Sequence, residues 1–297
     1  MTYRLLAVGE AMAELRFPER GSIETSFAGD TYNTAVYCHR ALNDGPVGYM
    51  TRVGRDPLSD AFVATAEKEG LDMTHVARDD ARQIGIYSVA TDGSGERSFH
   101  YWREKSAARQ MFSGDDPAAF PNAEIIYLSA ITLAILNETG RDRLIHQLDA
   151  AKRASSAQIA FDSNYRPALW ENVRAARDLI TRMWELADVA LPSIDDEMHL
   201  FGEDEETVMS RFADGSFAAC AIKRGMRGPF SPSLAPDRHP EFNPSDLVID
   251  TTAAGDSFNG AYLAAYIRGC DEDVRLVRAH DVARHVIGHS GAIVPRD

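Results

Sequence analysis

Six short apolar runs punctuate the chain, and several of the intervals between them carry apolar residues at helical spacing. The runs are RLLAVGE (4–10), VGYMTRVG (47–54), EIIYLSAI (124–131), QIAFDSN (158–164), DVALPS (188–193) and AACAIKRG (218–225). Their shortness and near-continuous hydrophobicity predict strands buried on both faces. Segments 31–42, 56–70, 137–154 and 172–187 place apolar residues three and four positions apart, which predicts helices. Strands alternating with helices call for a mostly parallel sheet with helices on both faces, an α/β architecture. One region breaks the alternation. IGIYSVATDGSGERSFHYWR (84–103) has two β-rich runs around Asp92-Gly93-Ser94-Gly95, a hairpin signal. With AELRFPE (13–19) it predicts a small antiparallel sheet away from the main one, a lid built from two separated segments.

At 297 residues the chain is long enough to bury a full core, as one large domain or one domain with a small appendage, and its 44% hydrophobic and 26% charged residues are ordinary for a globular protein. Its 31 Lys and Arg against 45 Asp and Glu give a net charge of −14. Such a surface disfavours general binding to nucleic acid or anionic membrane and leaves room for local basic pockets. Cys38, Cys220 and Cys270 are odd in number and far apart, which predicts reduced thiols in a cytoplasmic protein. The apolar run Leu5–Val8 is too short for a signal peptide or a membrane span. Prolines at 229, 232, 236, 240 and 244 predict an extended surface connection.

DTTAAGDSFNG (250–260) carries the strongest chemical signal. Small residues lead into Asp256, and the apolar pattern that follows predicts a helix starting there. A helix N-terminus offers free N–H groups and the positive end of a dipole, hence an anion site. Ala253, Ala254 and Gly255 let a phosphate approach the backbone. A carboxylate there repels an anion, unless its task is to take a proton from an attacking hydroxyl while the amides neutralise a transferring phosphoryl group. The competing reading is that Asp256 caps the helix.

This stretch resembles the C-terminal signature of the ribokinase-like (PfkB-type) sugar kinases. In that family the small residues form an anion hole and the Asp is the catalytic base, here Ala253, Ala254, Gly255 and Asp256. Ala253 stands where the family often has Gly, at little cost if its φ is negative. FAGDTYNTA (27–35) resembles the family's sugar-binding signature, with Gly29, Asp30 and Asn33 matching and Ala28 replacing a Gly. Asp30 fits an Asx-type helix cap equally well. The similarity runs from about residue 5 to 295, which implies one ribokinase-like kinase domain over 1–297. The implied fold is a three-layer sandwich with a small antiparallel β lid drawn from about 13–28 and 78–104.

Within the family, GDTYNTA, IYSV (86–89), HYWREKSAAR (100–109) and FDSNYRPALW (161–170) are most similar to the 2-keto-3-deoxygluconate kinases. The resemblance implies transfer of a phosphoryl group from ATP, with Mg2+, to the terminal hydroxyl of a sugar acid. Arg103 and Arg166 match arginines that hold the acid's carboxylate, which guanidinium does bidentately. Arg109 stands by as an assistant. Tyr87 and Tyr101 match lid tyrosines that touch substrate; on the residues alone they are equally hairpin aromatics. On the nucleotide side the resemblance implicates Ser193, loosely paired with Asp196, then Lys223, Gly225, Gly228 and His280. It does not single out the residues that position the metal. It also implies a homo-oligomer formed through the lid. His280, His285 and His289 match no zinc spacing, and neither GxGxxG nor a Walker A loop occurs. Two alternatives stay open: a kinase for fructose, 2-keto-3-deoxygalactonate or another sugar, and a non-catalytic sugar-acid sensor.

Overall fold

A computed structural model describes residues 1–17, 22–91, 97–114, 119–155, 157–245 and 247–296. The expected hairpin tip at Asp92–Gly95 and the Pro18–Glu19 end of the first lid segment lie outside the described residues. Eleven strands are found among these residues: β1 (Tyr3–Val8), β2 (Met12–Arg16), β3 (Glu24–Ala28), β4 (Val47–Val53), β5 (Val76–Arg78), β6 (Gly85–Thr91), β7 (Arg97–Trp102), β8 (Ala123–Ser129), β9 (Gln158–Asp162), β10 (Val189–Ala190) and β11 (Ala219–Cys220). The helices are α1 (Asp30–Leu42), α2 (Pro57–Lys68), α3 (Ala130–Ile135), α4 (Glu138–Ser155), α5 (Val173–Leu186), α6 (Ile194–Phe201), α7 (Glu205–Ala213), α8 (Ala254–Ile267) and α9 (Glu272–Ile287). All six runs and all four helical segments named from the sequence form the expected elements. The proline-rich stretch is largely irregular, with a 3-10 turn at Pro236–Arg238.

Seven strands form a parallel sheet in the order β11-β10-β9-β8-β1-β4-β5. Side chains on a strand alternate between faces, and β1 shows the consequence. Leu6 and Val8 join one core with Leu144, Ile180 and Leu200 of α4, α5 and α6. Leu5 and Ala7 join another with Val36, Phe62, Tyr262 and Leu276 of α1, α2, α8 and α9. This is the three-layer sandwich. Caps fix the helix starts: Asp56 accepts from the Leu58 and Ser59 amides ahead of Pro57, and Asn172 accepts from Ala175.

The lid is a separate four-stranded sheet, ordered β3-β2-β6-β7. It corrects two expectations. The outer pairs β2–β3 and β6–β7 are antiparallel, but the central pair β2–β6 is parallel, so the lid is mixed. Each hairpin sends its first strand out from the central layer, and two strands leaving side by side run the same way. In addition, the second lid segment contributes no lid strand before Gly85, because Val76–Arg78 pairs with β4 at the edge of the main sheet.

The chain order places the functional end of the molecule. From β1 the sheet grows through β4 and β5 on one side, then restarts with β8 on the other. Ligands in open α/β sheets bind beyond the carboxyl ends of strands at such a reversal. Ser129 ends β8, Asp162 ends β9, and α1 begins with Asp30 beside them.

Candidate active site

A cavity of about 700 Å³ opens at this edge, roofed by Tyr87, Phe99 and Tyr101 of the lid. Its floor is the junction of α1 and α8. The two helices meet closely because Gly260 has no side chain: a Cβ there would lie 2.6 Å from the Thr34 carbonyl oxygen and 2.7 Å from the Cys38 nitrogen. At the N-terminal end of this contact, Asn33 Nδ2 donates to Asp256 Oδ2 at 2.8 Å, and Thr34 Oγ1 donates to the Asp256 carbonyl at 3.1 Å.

The loop before α8 takes the expected shape. Ser257 makes the first helical hydrogen bond, to Ala253, so the Gly255 and Asp256 amides have no acceptor within the helix. Ala253, Ala254, Gly255 and Asp256 all line the cavity. The condition placed on Ala253 is not met. Its φ is +61°, in the left-handed region, which costs a residue with a Cβ roughly 1–2 kcal/mol. Turning the loop onto the helix start demands this conformation, so the position suits glycine.

Asp256 shares the cavity with Asp30, Asp162, Asp195 and Asp196. Asp30 accepts from Asn164 Nδ2 at 2.8 Å and from the Ser129 hydroxyl. Asp162 accepts from Lys223 Nζ and from Asn259 Nδ2, each at 2.6 Å. Burial, together with the charges of Asp30 and Asp162, pushes the Asp256 carboxyl up to about 7, against the pull of Asn33 and Lys223. A carboxylate held near neutrality is suited to accepting a proton at physiological pH.

Cations face these groups from two sides. Lys223 reaches from the end of β11, with Nζ 3.9 Å from where a Gly255 Cβ would sit. Arg166 follows β9 with its side chain half exposed, lining the cavity and pairing loosely with Asp196 at 3.3 Å. Burial raises the Asp196 carboxyl, and Arg166 opposes that rise. Ser193 and Gly225 line the same wall.

Most of the residues singled out in the sequence converge here: Gly29, Asp30, Asn33, Tyr87, Tyr101, Arg166, Ser193, Lys223, Gly225 and the 253–256 loop all line the cavity. Gly29 has extended φ, and it is required by close approach, since a Cβ would lie 2.2 Å from the Glu10 carbonyl oxygen. Tyr87 donates to buried Glu14 and stacks on Tyr101 with ring centroids 5.7 Å apart. Asp30 begins α1 without capping it: its carboxylate is taken up by Asn164 and Ser129, and the Gly29 amide donates to Asn33 Oδ1 at 3.3 Å.

Four residues named from the sequence stand off this cavity. Arg103 does not line the cavity; it is buried and gives its N–H groups to Glu10. Gly228 supports the loop behind the wall, where a Cβ would strike the Phe242 ring. His280 packs edge-on against Phe242 and bonds the Asn243 carbonyl oxygen. Arg109 lies in the 3-10 turn Ala107–Gln110, also off the cavity. In turn, the residue reading passed over Asp162, Asn164 and Asn259. A carboxylate closing an apolar run, as in QIAFD, is the signal that marks Asp162.

Comparison with known proteins gives the same direction. A family model described as pfkB family carbohydrate kinase matches residues 3–297. The sequence is 35% identical to a 2-dehydro-3-deoxygluconokinase of Escherichia coli (strain K12), over 100% of this chain and 99% of the relative. It is 36% identical to the 2-dehydro-3-deoxygluconokinase of Dickeya dadantii (strain 3937), over 99% and 97%. Among solved structures, fructokinase from Vibrio cholerae O395 bound to fructose, ADP and calcium ion superposes with a TM-score of 0.82. It covers 98% of this chain and 94% of that one at 23% identity, a likeness of fold.

Proposed function

The chain belongs to the pfkB family of carbohydrate kinases, and on that premise we propose that it phosphorylates 2-dehydro-3-deoxygluconate at its terminal hydroxyl, with ATP as donor. The full-length identity of 32–36% to several 2-dehydro-3-deoxygluconokinases carries this reading. The cavity's chemistry agrees with it: a base at one end and the half-exposed Arg166 guanidinium at the other match a substrate with a hydroxyl at one end and a carboxylate at the other.

The substrate lies with its terminal hydroxyl against Asp256 and its carboxylate against Arg166. Asp256 Oδ takes the hydroxyl proton as that oxygen forms a bond to the γ-phosphorus. The bond from the γ-phosphorus to the bridging oxygen breaks, and ADP leaves with the electron pair. Charge on the phosphoryl oxygens is met by the Gly255 and Asp256 amides, the α8 dipole and Lys223. Tyr87 and Tyr101 cover the sugar and exclude water, which keeps ATP from hydrolysis.

Among the described residues no group of three or more metal-ligating side chains forms a dedicated cage. A magnesium ion carried on nucleotide phosphates needs only one or two protein carboxylates. Asp162 and Asp196, which both face Lys223, fit that need. When bound, the ion neutralises phosphate charge.

Arg166→Met tests the assignment. The KM for 2-dehydro-3-deoxygluconate is expected to rise about 10- to 100-fold, as for loss of a charge-assisted contact. The KM for ATP should stay nearly constant. An unchanged KM for the sugar acid removes Arg166 from the site.

A further inference from the structure

All four strand ends that join the lid to the central layer meet one residue. Glu10 stands two positions before β2. Gly29, directly after β3, packs against the Glu10 carbonyl oxygen at a distance no side chain tolerates. Gly85, the first residue of β6, faces Glu10 Oε1, 2.9 Å from where its Cβ would be. Arg103, directly after β7, donates to Glu10 Oε2 from Nε at 2.9 Å and from a second guanidinium nitrogen. Glu10 is 2% exposed and Arg103 8%.

The pair is unequally satisfied. Both Arg103 bonds fall on Oε2, and Oε1 accepts no hydrogen bond among the described residues. A buried charge pair with an orphaned oxygen is poor value as stabilisation alone, since apolar residues in its place do as well or better. Its geometry is what it supplies. It ties the exit of β7 to the entry of β2, and the Arg103 guanidinium lies 6.0 Å from the centroid of the Tyr101 ring that roofs the cavity.

We propose that Glu10 is the anchor of the lid, a positioning residue that acts through Arg103 to fix the angle at which Tyr87 and Tyr101 face Asp256. Arg103 thereby ties the roof of the site to the central layer. Its effect on turnover rests on the kinase reading above; the anchor itself is observable with no substrate present.

The test is amide hydrogen exchange on the free full-length protein, comparing wild type with Glu10→Gln and with the double variant Glu10→Gln/Arg103→Met. The double variant leaves no unpaired buried charge, so it keeps the fold even where the single variant does not. Amides of β2 and β6 are expected to lose protection by about 10- to 100-fold while those of β1 and β8 keep theirs. With MgATP and 2-dehydro-3-deoxygluconate, the double variant should show a raised KM for the sugar acid and faster ADP release without it. The KM for ATP should move less than about twofold. Unchanged lid protection overturns the anchor, whatever the sugar-acid KM. Loosened lid strands in a protein whose wild type ignores the sugar acid uphold the anchor and sink the substrate reading.

Discussion

Asn33 on α1 holds Asp256 on α8 through a 2.8 Å hydrogen bond from its side-chain amide. Asn33 also lines the cavity, so a residue expected to read sugar hydroxyls also orients the base. Its bond favours the ionised carboxylate and restrains the upward push of burial and Asp30. In Asn33→Ala the Asp256 carboxyl therefore rises further, and the acid limb of the kcat–pH profile should move to higher pH by about one unit. Activity lost at pH 7 is then recovered at pH 8 to 9. A profile that drops without shifting would mean Asn33 acts on the substrate alone.

Asp256→Asn removes the proton acceptor and keeps the shape. Turnover should fall about 10²- to 10⁴-fold, the usual worth of a general base. ATP binding, followed by calorimetry, should change little. Near-normal turnover would restore the helix-cap reading of this residue.

The same carboxyl links stability to pH. Its folded value of about 7 lies above the ordinary unfolded value of about 3.9. The folded state then binds the extra proton between those values, so its contribution is full below pH 4 and is lost as pH rises through 7. Asp256→Asn lacks this loss and should melt a few degrees above wild type at pH 8, with the difference shrinking toward pH 5. Equal melting shifts at both pH values would contradict the raised carboxyl.

Ala253→Gly relieves a left-handed residue at φ +61°. The penalty removed is roughly 1–2 kcal/mol, and glycine's looser unfolded chain returns about 0.5–1 kcal/mol. A net gain of about 0.5–1 kcal/mol should appear as a higher denaturant midpoint at unchanged slope. A lower midpoint would place the loop in another conformation.

Much of this molecule is legible in its sequence because periodicity reports burial. Leu5 to Val8 on two faces of one sheet, and the helical spacing of 172–187, each write a local pattern. The 250–260 loop is legible for a related reason, since an anion site at a helix start uses consecutive residues. What stayed hidden depends on pairs far apart in the chain. Glu10 and Arg103 are 93 positions apart, and Lys223 and Asp162 are 61. No spacing rule joins them, so Arg103 reads as a free cation until its partner is seen. The parallel β2–β6 pair was hidden likewise, because a hairpin signal specifies the partner within the hairpin and says nothing of its neighbour. The backbone at Ala253 escapes for a third reason: a loop's hand follows from its anchoring at both ends.

The most direct measurement is ADP release with MgATP across 2-dehydro-3-deoxygluconate, its galactonate epimer, fructose and ribose. Turnover concentrated on the two sugar acids, and cut by at least about 100-fold in Asp256→Asn, is the expected result. Preference for fructose or ribose would keep the fold and the base but contradict the pairing of Arg166 with a carboxylate, and no turnover on any of the four would contradict the kinase assignment for these sugars.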